Sequence, residues 1–295
     1  MTTALVLGAG GPLGWVFHLG VVEALRERDG ADPAGFDRIL GTSAGAAIAA
    51  GLGSGATTAE TLAALTTPPT EEDMARMREV RDQVRTKPWR VIRPLRPRLI
   101  TKSLSAPVTA AVGMLPRGVF PTGPLRSVLD RDVDGWPANV WIPAVRVRDG
   151  ELVVFGRDDV GGPFDLADAV EASSAVPVMF QPKAIGGESY VDGGVASATN
   201  TGQLVGEGFD TIVVSSVASR DGRSPARMRA RRQLNQEIAA LEAAGTRTVV
   251  LTPTVEFAAL ASGFPRRNGD RAAEIVDAAR QVARTQLDAS GLALS

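Results

Sequence analysis

The first fifty residues alternate a short apolar run, a glycine turn, a helical stretch, a second apolar run, another tight turn and an alanine-rich helical stretch. Two strands joined by a helix fit a parallel pair, which needs a crossover of a dozen or more residues. This alternation is the pattern of a mostly parallel sheet covered by helices, an α/β architecture. Ala4–Leu7 reads as the first strand, Leu13–Arg28 as the first helix and Arg38–Leu40 as the second strand.

The pattern continues with one interruption. Thr57 and Thr70 each precede an acid by three residues, Glu60 and Asp73, a start signal that predicts helices over 58–66 and 71–86. Prolines 88, 94, 97, 107, 116, 121 and 124 then remove backbone donors at short intervals, which marks about 52–124 as an inserted cap. Val140–Val147 and Leu152–Phe155, split by Asp149-Gly150, predict a hairpin, and Asp165 caps the next helix. Thr211–Ser216 and Thr248–Leu251 are continuous runs suited to strands buried on both faces, with a helix over Pro225–Ala243 between them. A last helix from Asp270 to about Leu287 carries the stripe Ala273, Val276, Ala279 and Val282. At 295 residues and 44% hydrophobic composition, one domain over 1–295 can bury the core this pattern needs.

Composition narrows the chemistry. A formal net charge of −1 gives no global basis for nucleic-acid binding. The absence of cysteine excludes disulfides, thiolate zinc sites and cysteine nucleophiles. With His18 as the sole histidine and no clustered carboxylates, neither a catalytic metal nor a cofactor is expected. No stretch reaches the roughly eighteen apolar residues of a spanning helix, and the N-terminus lacks a basic leader. The expectation is a cytoplasmic protein whose membrane contact is peripheral.

Three turns carry candidate chemistry. Gly41-Thr42-Ser43-Ala44-Gly45 lies between a strand and a helix, where small neighbours let a serine hydroxyl stand exposed above the sheet. The same letters also suit a close helix-to-strand packing turn. Gly8-Ala9-Gly10-Gly11-Pro12-Leu13-Gly14 offers unobstructed backbone N–H groups to a phosphate or an oxyanion. A dinucleotide fold would place glycine where Leu13 stands and an acid after the second strand, where the chain instead has Gly41-Thr42-Ser43. Asp192-Gly193-Gly194 puts a carboxylate where a strand meets a permissive turn. His18, inside the first helix, reads as a packed or partly exposed helix residue and not as the base.

Together and in this order, the Gly10–Gly14 loop, Gly41–Gly45 and Asp192–Gly194 resemble the patatin-like phospholipase family. The approach from Ala172-Ser173-Ser174-Ala175-Val176-Pro177 through Phe180-Gln181-Pro182 to Tyr190-Val191 is similar too. The resemblance implies a patatin-like three-layer fold and a hydrolase of lipid acyl esters. It implies Ser43 as nucleophile, Asp192 as its partner, the N–H groups of Gly10 and Gly11 as oxyanion hole, and Gly14, Gly41, Gly45, Gly193 and Gly194 as supports. The chain departs from the family pattern at Ala9, where glycine is usual, and at Leu13, where a cation is usual. A lipid-binding member without turnover and a dinucleotide-dependent oxidoreductase remain the alternatives. Of two basic runs, 76–102 with Trp89 among its apolar residues is a candidate contact for anionic membrane, and Arg220–Arg232 reads as a solvated helix face.

Overall fold

The computed structural model describes residues 1–28, 32–67, 135–265 and 269–292, scattered positions between 70 and 82, and Gly118, Phe120 and Thr122. Of the expected helix at 71–86, residues 71, 72, 74, 75, 78, 79 and 82 are described and are helical, whereas most of the expected cap and nearly all of the basic run at 76–102 lie outside the described residues.

The strands are β1 (Thr3–Leu7), β2 (Arg38–Gly41), β3 (Val140–Arg146), β4 (Leu152–Phe155), β5 (Lys183–Ile185), β6 (Glu188–Asp192), β7 (Thr211–Ser215) and β8 (Arg247–Leu251). The α-helices described from end to end are α1 (Gly11–Glu27), α2 (Ala44–Gly53), α3 (Thr58–Thr66), α4 (Leu166–Ser173), α5 (Pro225–Ala243), α6 (Val255–Leu260) and α7 (Ala272–Ser290). One sheet runs β5-β6-β3-β2-β1-β7-β8, with β4 also on β3. The pairs from β3 through β8 along this path are parallel, and those of β4, β5 and β6 are antiparallel.

Strand alternation builds a core on each face of the sheet. Leu5, Leu7, Ile39 and Val213 pack with Phe17 of α1, Ile48 of α2 and Ile275 of α7. Ala4, Val6, Leu40, Ile212 and Val214 pack on the other face with Leu234 and Leu241 of α5. The result is the expected three-layer α/β arrangement with a mostly parallel central sheet.

Several expected elements appear with small changes. Thr57 with Glu60, and Asp165 with Asp168, form reciprocal capping boxes at α3 and α4. β3 and β4 form the expected hairpin pair. α1 starts at Gly11, two residues before Leu13, because Pro12 fits the first turn and the glycine turn itself becomes helical. β7 is buried throughout, but β8 is not, contrary to the reading of its apolar run: it is the last strand of the sheet, and its exposure alternates. No described helix is long and apolar enough to cross a membrane.

The geometry that matters most lies along one edge of β3. Successive residues of a strand aim their backbone groups at opposite edges. Asn139, just before β3, accepts from Ile39 at 2.7 Å, and Val147, just after it, donates to Ser189 at 2.8 Å. Arg146, one residue out of phase, donates to Glu151 on the β4 side at 2.8 Å. β2 and β6 therefore occupy the same edge, β2 beside Val140 and Trp141 and β6 beside Ala144 to Arg146. Their C-terminal ends point at each other across a notch opposite Pro143.

Phe155 anchors the antiparallel half: it is fully buried, with ring centroids 5.2 Å from Phe164 and 5.3 Å from Tyr190. Phe155→Ala should cost about 3 to 5 kcal/mol, read as a lower urea midpoint at an unchanged slope. A cost below about 1 kcal/mol would mean that this aromatic cluster does not carry the β3–β4–β6 unit.

Candidate active site

Ser43 stands at one side of the notch. β2 ends at Gly41 and α2 begins at Ala44, and the turn between them puts Ser43 at φ 54 and ψ −115. Side chains other than glycine rarely adopt that conformation, so the surrounding bonds must hold it. The Ser43 N–H donates to Ser173 Oγ at 2.9 Å, and that hydroxyl donates to the Pro143 carbonyl at 2.7 Å. Ser174 Oγ donates to the Ser43 carbonyl at 3.3 Å. α2 sits so close to the end of β1 that a Cβ on Gly45 would collide with the Leu7 carbonyl, which also accepts the Thr42 N–H at 2.9 Å. Gly41 lies beneath the same helix, against Ala46 and Ala49.

Asp192 comes from the other side. It ends β6, pairs with Ala144 of β3 and is 4% exposed. Its carboxylate accepts the Gly194 N–H at 2.6 Å and lies close enough to the Ser43 hydroxyl for that group to favour its ionised form. Burial pushes the carboxyl up to about 6, against the smaller opposite pull of the hydrogen bonds from Ser43 and Gly194. Gly193 lies against the Pro143 carbonyl and Thr42. The two turns are stapled by Asn200, whose amide reaches Thr42 Oγ1 at 3.1 Å, the Gly193 carbonyl at 3.3 Å and the Ser197 carbonyl at 2.8 Å.

The glycine loop forms a third wall. Gly8 donates to the Ser215 carbonyl at 3.0 Å and Ala9 to the Ala198 carbonyl at 2.7 Å. Gly10 precedes α1, and Gly11 opens it at φ +56, a conformation that suits glycine. Among the described residues neither the Gly10 nor the Gly11 N–H has an acceptor. Gly14 meets Ala44 and Ala9 meets Gly194, so this loop touches both of the other turns. Leu13 is half-buried and packs on the core.

His18 is fully buried beneath the loop, the packed alternative of the sequence reading. Its Nε2 is 2.7 Å from the Gly8 carbonyl and its Nδ1 is 2.7 Å from Ser215 Oγ. Burial lowers its pKa to about 4, against the weaker effect of the Gly8 hydrogen bond, so the ring is neutral at pH 7. A carbonyl only accepts, which places the proton on Nε2 and makes Nδ1 the acceptor of the Ser215 hydroxyl. Both ring nitrogens are occupied within the scaffold.

The patatin-like phospholipase family model matches residues 5–205, a span that holds all three turns. The chain belongs to this family. Among solved structures it is similar to VipD from Legionella pneumophila at 15% identity and TM-score 0.47, covering 98% of this chain and 67% of VipD. It is similar to the type III effector protein ExoU at 18% identity and TM-score 0.42, covering 99% of this chain and 54% of ExoU. The chain thus spans about two thirds of the one and about half of the other. No curated protein matches it.

In this patatin-like chain the candidate pair Ser43 and Asp192 meet, and Gly10, Gly11 and Gly14 lie on the adjoining wall. Among the described residues no three metal-ligating side chains converge. The sequence reading missed the supporting roles of Ser173, Ser174, Asn200 and Ser215. A hydroxyl pair beside the Asp192 approach was visible, but its partners lie more than a hundred residues away. Nothing local marked Asn200 except a small polar run.

The two buried titratable groups give opposite pH signatures. His18, lowered from 6.5 to about 4, makes stability fall as pH drops through that window, because the unfolded chain takes up the proton first. Asp192, raised from 3.8 to about 6, makes stability fall as pH rises through its window, because the folded chain holds the proton. Each effect is worth about 3 kcal/mol, so the two largely cancel between pH 4 and 6. Asp192→Asn should be more stable than wild type by up to ~3 kcal/mol at pH 8 and should lose stability on acidification from pH 6 to 4.5. Denaturant unfolding at those three pH values checks this, and parallel curves for the two proteins would contradict it.

Proposed function

We propose that this patatin-like protein hydrolyses lipid carboxylic acyl esters through a Ser43–Asp192 dyad, in a single domain with an insertion at about 52–124. The observation that carries the reading is that the strained, barely exposed Ser43 sits against a buried Asp192 whose carboxyl is pushed up to about 6. Family membership supports the lipid-ester substrate class.

In this reading Asp192 takes the Ser43 proton as the hydroxyl attacks the acyl carbonyl, and the alcohol leaves with a proton returned from Asp192. Water activated by the same carboxylate then releases the acid and restores Ser43. Negative charge on the tetrahedral oxygen is met by the unpaired N–H groups of Gly10 and Gly11; Pro12 adds no donor. The N-terminus of α2 points its dipole at the same region. Such donors contribute about 10²- to 10³-fold each, comparable with general-base assistance. His18 is neutral and already bonded on both sides, which leaves the carboxylate as the base. The contact of residues 76–102 with anionic membrane keeps its sequence basis alone.

Intact-mass analysis after treatment with a fluorophosphonate serine probe is the deciding experiment. Wild type should gain one adduct and turn over a short acyl ester, and Ser43→Ala should do neither. Asp192→Asn should lower kcat by about 10² to 10⁴. A folded protein that neither labels nor hydrolyses would favour the lipid-binding alternative.

The same assignment fixes the pH profile. Only ionised Asp192 accepts the proton, so kcat/KM for the short ester should rise with pH through about 6 and then level off. An inflection that persists in Asp192→Asn would point to another base.

A further inference from the structure

We propose that the arginine-rich rim formed by the loop after β7 and the first turns of α5 docks this protein on an anionic lipid surface. The proposal rests on the lipid-ester reading for the purpose of docking; the surface itself is argued from charge and position.

Position comes from topology. β1, β2 and β7 are parallel, so Gly8, Thr42 and Ser216, which follow them, emerge on one edge of the sheet. The loop from Ser216 therefore rises beside the Ser43 cleft, and α5 starts on that edge before running back along the sheet. Contacts tie this loop to the glycine wall: a Cβ on Gly10 would come within 2.9 Å of the Val217 Cβ, and Arg220 Nη1 donates to the Val217 carbonyl at 3.0 Å. They also tie α5 to the Asp192 turn, since Gln233 Nε2 donates to the Ala196 carbonyl at 2.8 Å.

Charge comes from the sequence. Between residues 220 and 232 there are arginines at 220, 223, 227, 229, 231 and 232 against the single acid Asp221, in a chain whose net charge is −1. Asp221 is engaged by Arg231 at 3.1 Å. Arg227 and Arg231 also donate to the Asp221 and Gly222 carbonyls, which fastens the loop to the helix. Arg223, Arg229 and Arg232 are exposed, and among the described residues no carboxylate lies within ion-pair distance of them. Met228, 56% exposed, stands among these cations. Cations around an exposed apolar side chain suit the headgroup boundary of a bilayer, where the charges meet phosphates and the thioether enters the acyl region. The segment contains no aromatic residue on which a nucleic-acid base could stack.

The test uses the full chain carrying Ser43→Ala, so that no lipid is consumed, in co-sedimentation with vesicles of phosphatidylcholine alone or mixed with phosphatidylserine. Binding should require the anionic lipid and weaken with salt. Arg223→Gln, Arg229→Gln and Arg232→Gln combined should weaken it on the order of 100-fold, about fivefold for each cation removed. Equal binding to both vesicle types, undiminished binding of the triple variant, or capture of a DNA duplex without vesicle binding would overturn the proposal. Failure of the ester reading would show instead as absent fluorophosphonate labelling of wild type, an assay in which no vesicle takes part.

Discussion

The candidate site exists because one edge of β3 is shared by two strands that approach from opposite directions. β2 leaves that edge after Trp141 and β6 arrives at Ala144, so the Pro143 carbonyl faces a gap instead of a neighbouring strand. A buried carbonyl without a partner is costly, and the Ser173 hydroxyl fills the vacancy at 2.7 Å while accepting the Ser43 N–H. Proline suits the position, since it has no N–H that would also need an acceptor there. The strained serine, the carboxylate and their support therefore converge on a single interruption in the sheet ladder.

Around that notch the chain accepts local cost for chemical poise. Ser43 occupies a conformation worth about 1 to 3 kcal/mol of strain, and Asp192 is kept from water without a cationic partner. Both are tolerable because rigid parts hold them: β1 and β2 beneath, α2 behind, and the Asn200 amide between the two turns. His18 performs the corresponding task for the glycine loop. A neutral ring with one donor and one acceptor joins the Gly8 carbonyl to Ser215 with no ionic charge to bury. The lone histidine, usually the first suspect as a base in a serine hydrolase, thus belongs to the scaffold.

Parallel strands also gather on one edge groups that are remote in sequence. The glycine loop, the Ser43 turn and the loop after β7 follow three neighbouring strands, so the candidate site and the arginines after β7 share one side of the sheet. Leu13 leaves the glycine loop without a cation of its own, and the residue of the loop after β7 that packs on it is Val217, whose carbonyl accepts from Arg220.

Much of this was legible in the sequence wherever the cause is local. The spacing of apolar runs and helical stretches specified the parallel sheet, the capping boxes at Thr57 and Asp165 fixed two helix starts, and small residues around Ser43 marked a turn that only small residues permit. The apolar run of β8 misled, because hydrophobicity along a strand cannot report whether the strand ends the sheet. Ser173, Asn200 and Ser215 were invisible as site residues, since each acts through a partner brought near by the fold. The sequence by itself determined which residues could carry acyl chemistry, because that depends on side-chain type and backbone permissiveness. Only the tertiary structure decided that Ser43 and Asp192 meet, that Asp192 is desolvated and that His18 is occupied, because hydrogen bonding and burial are properties of strand order and packing.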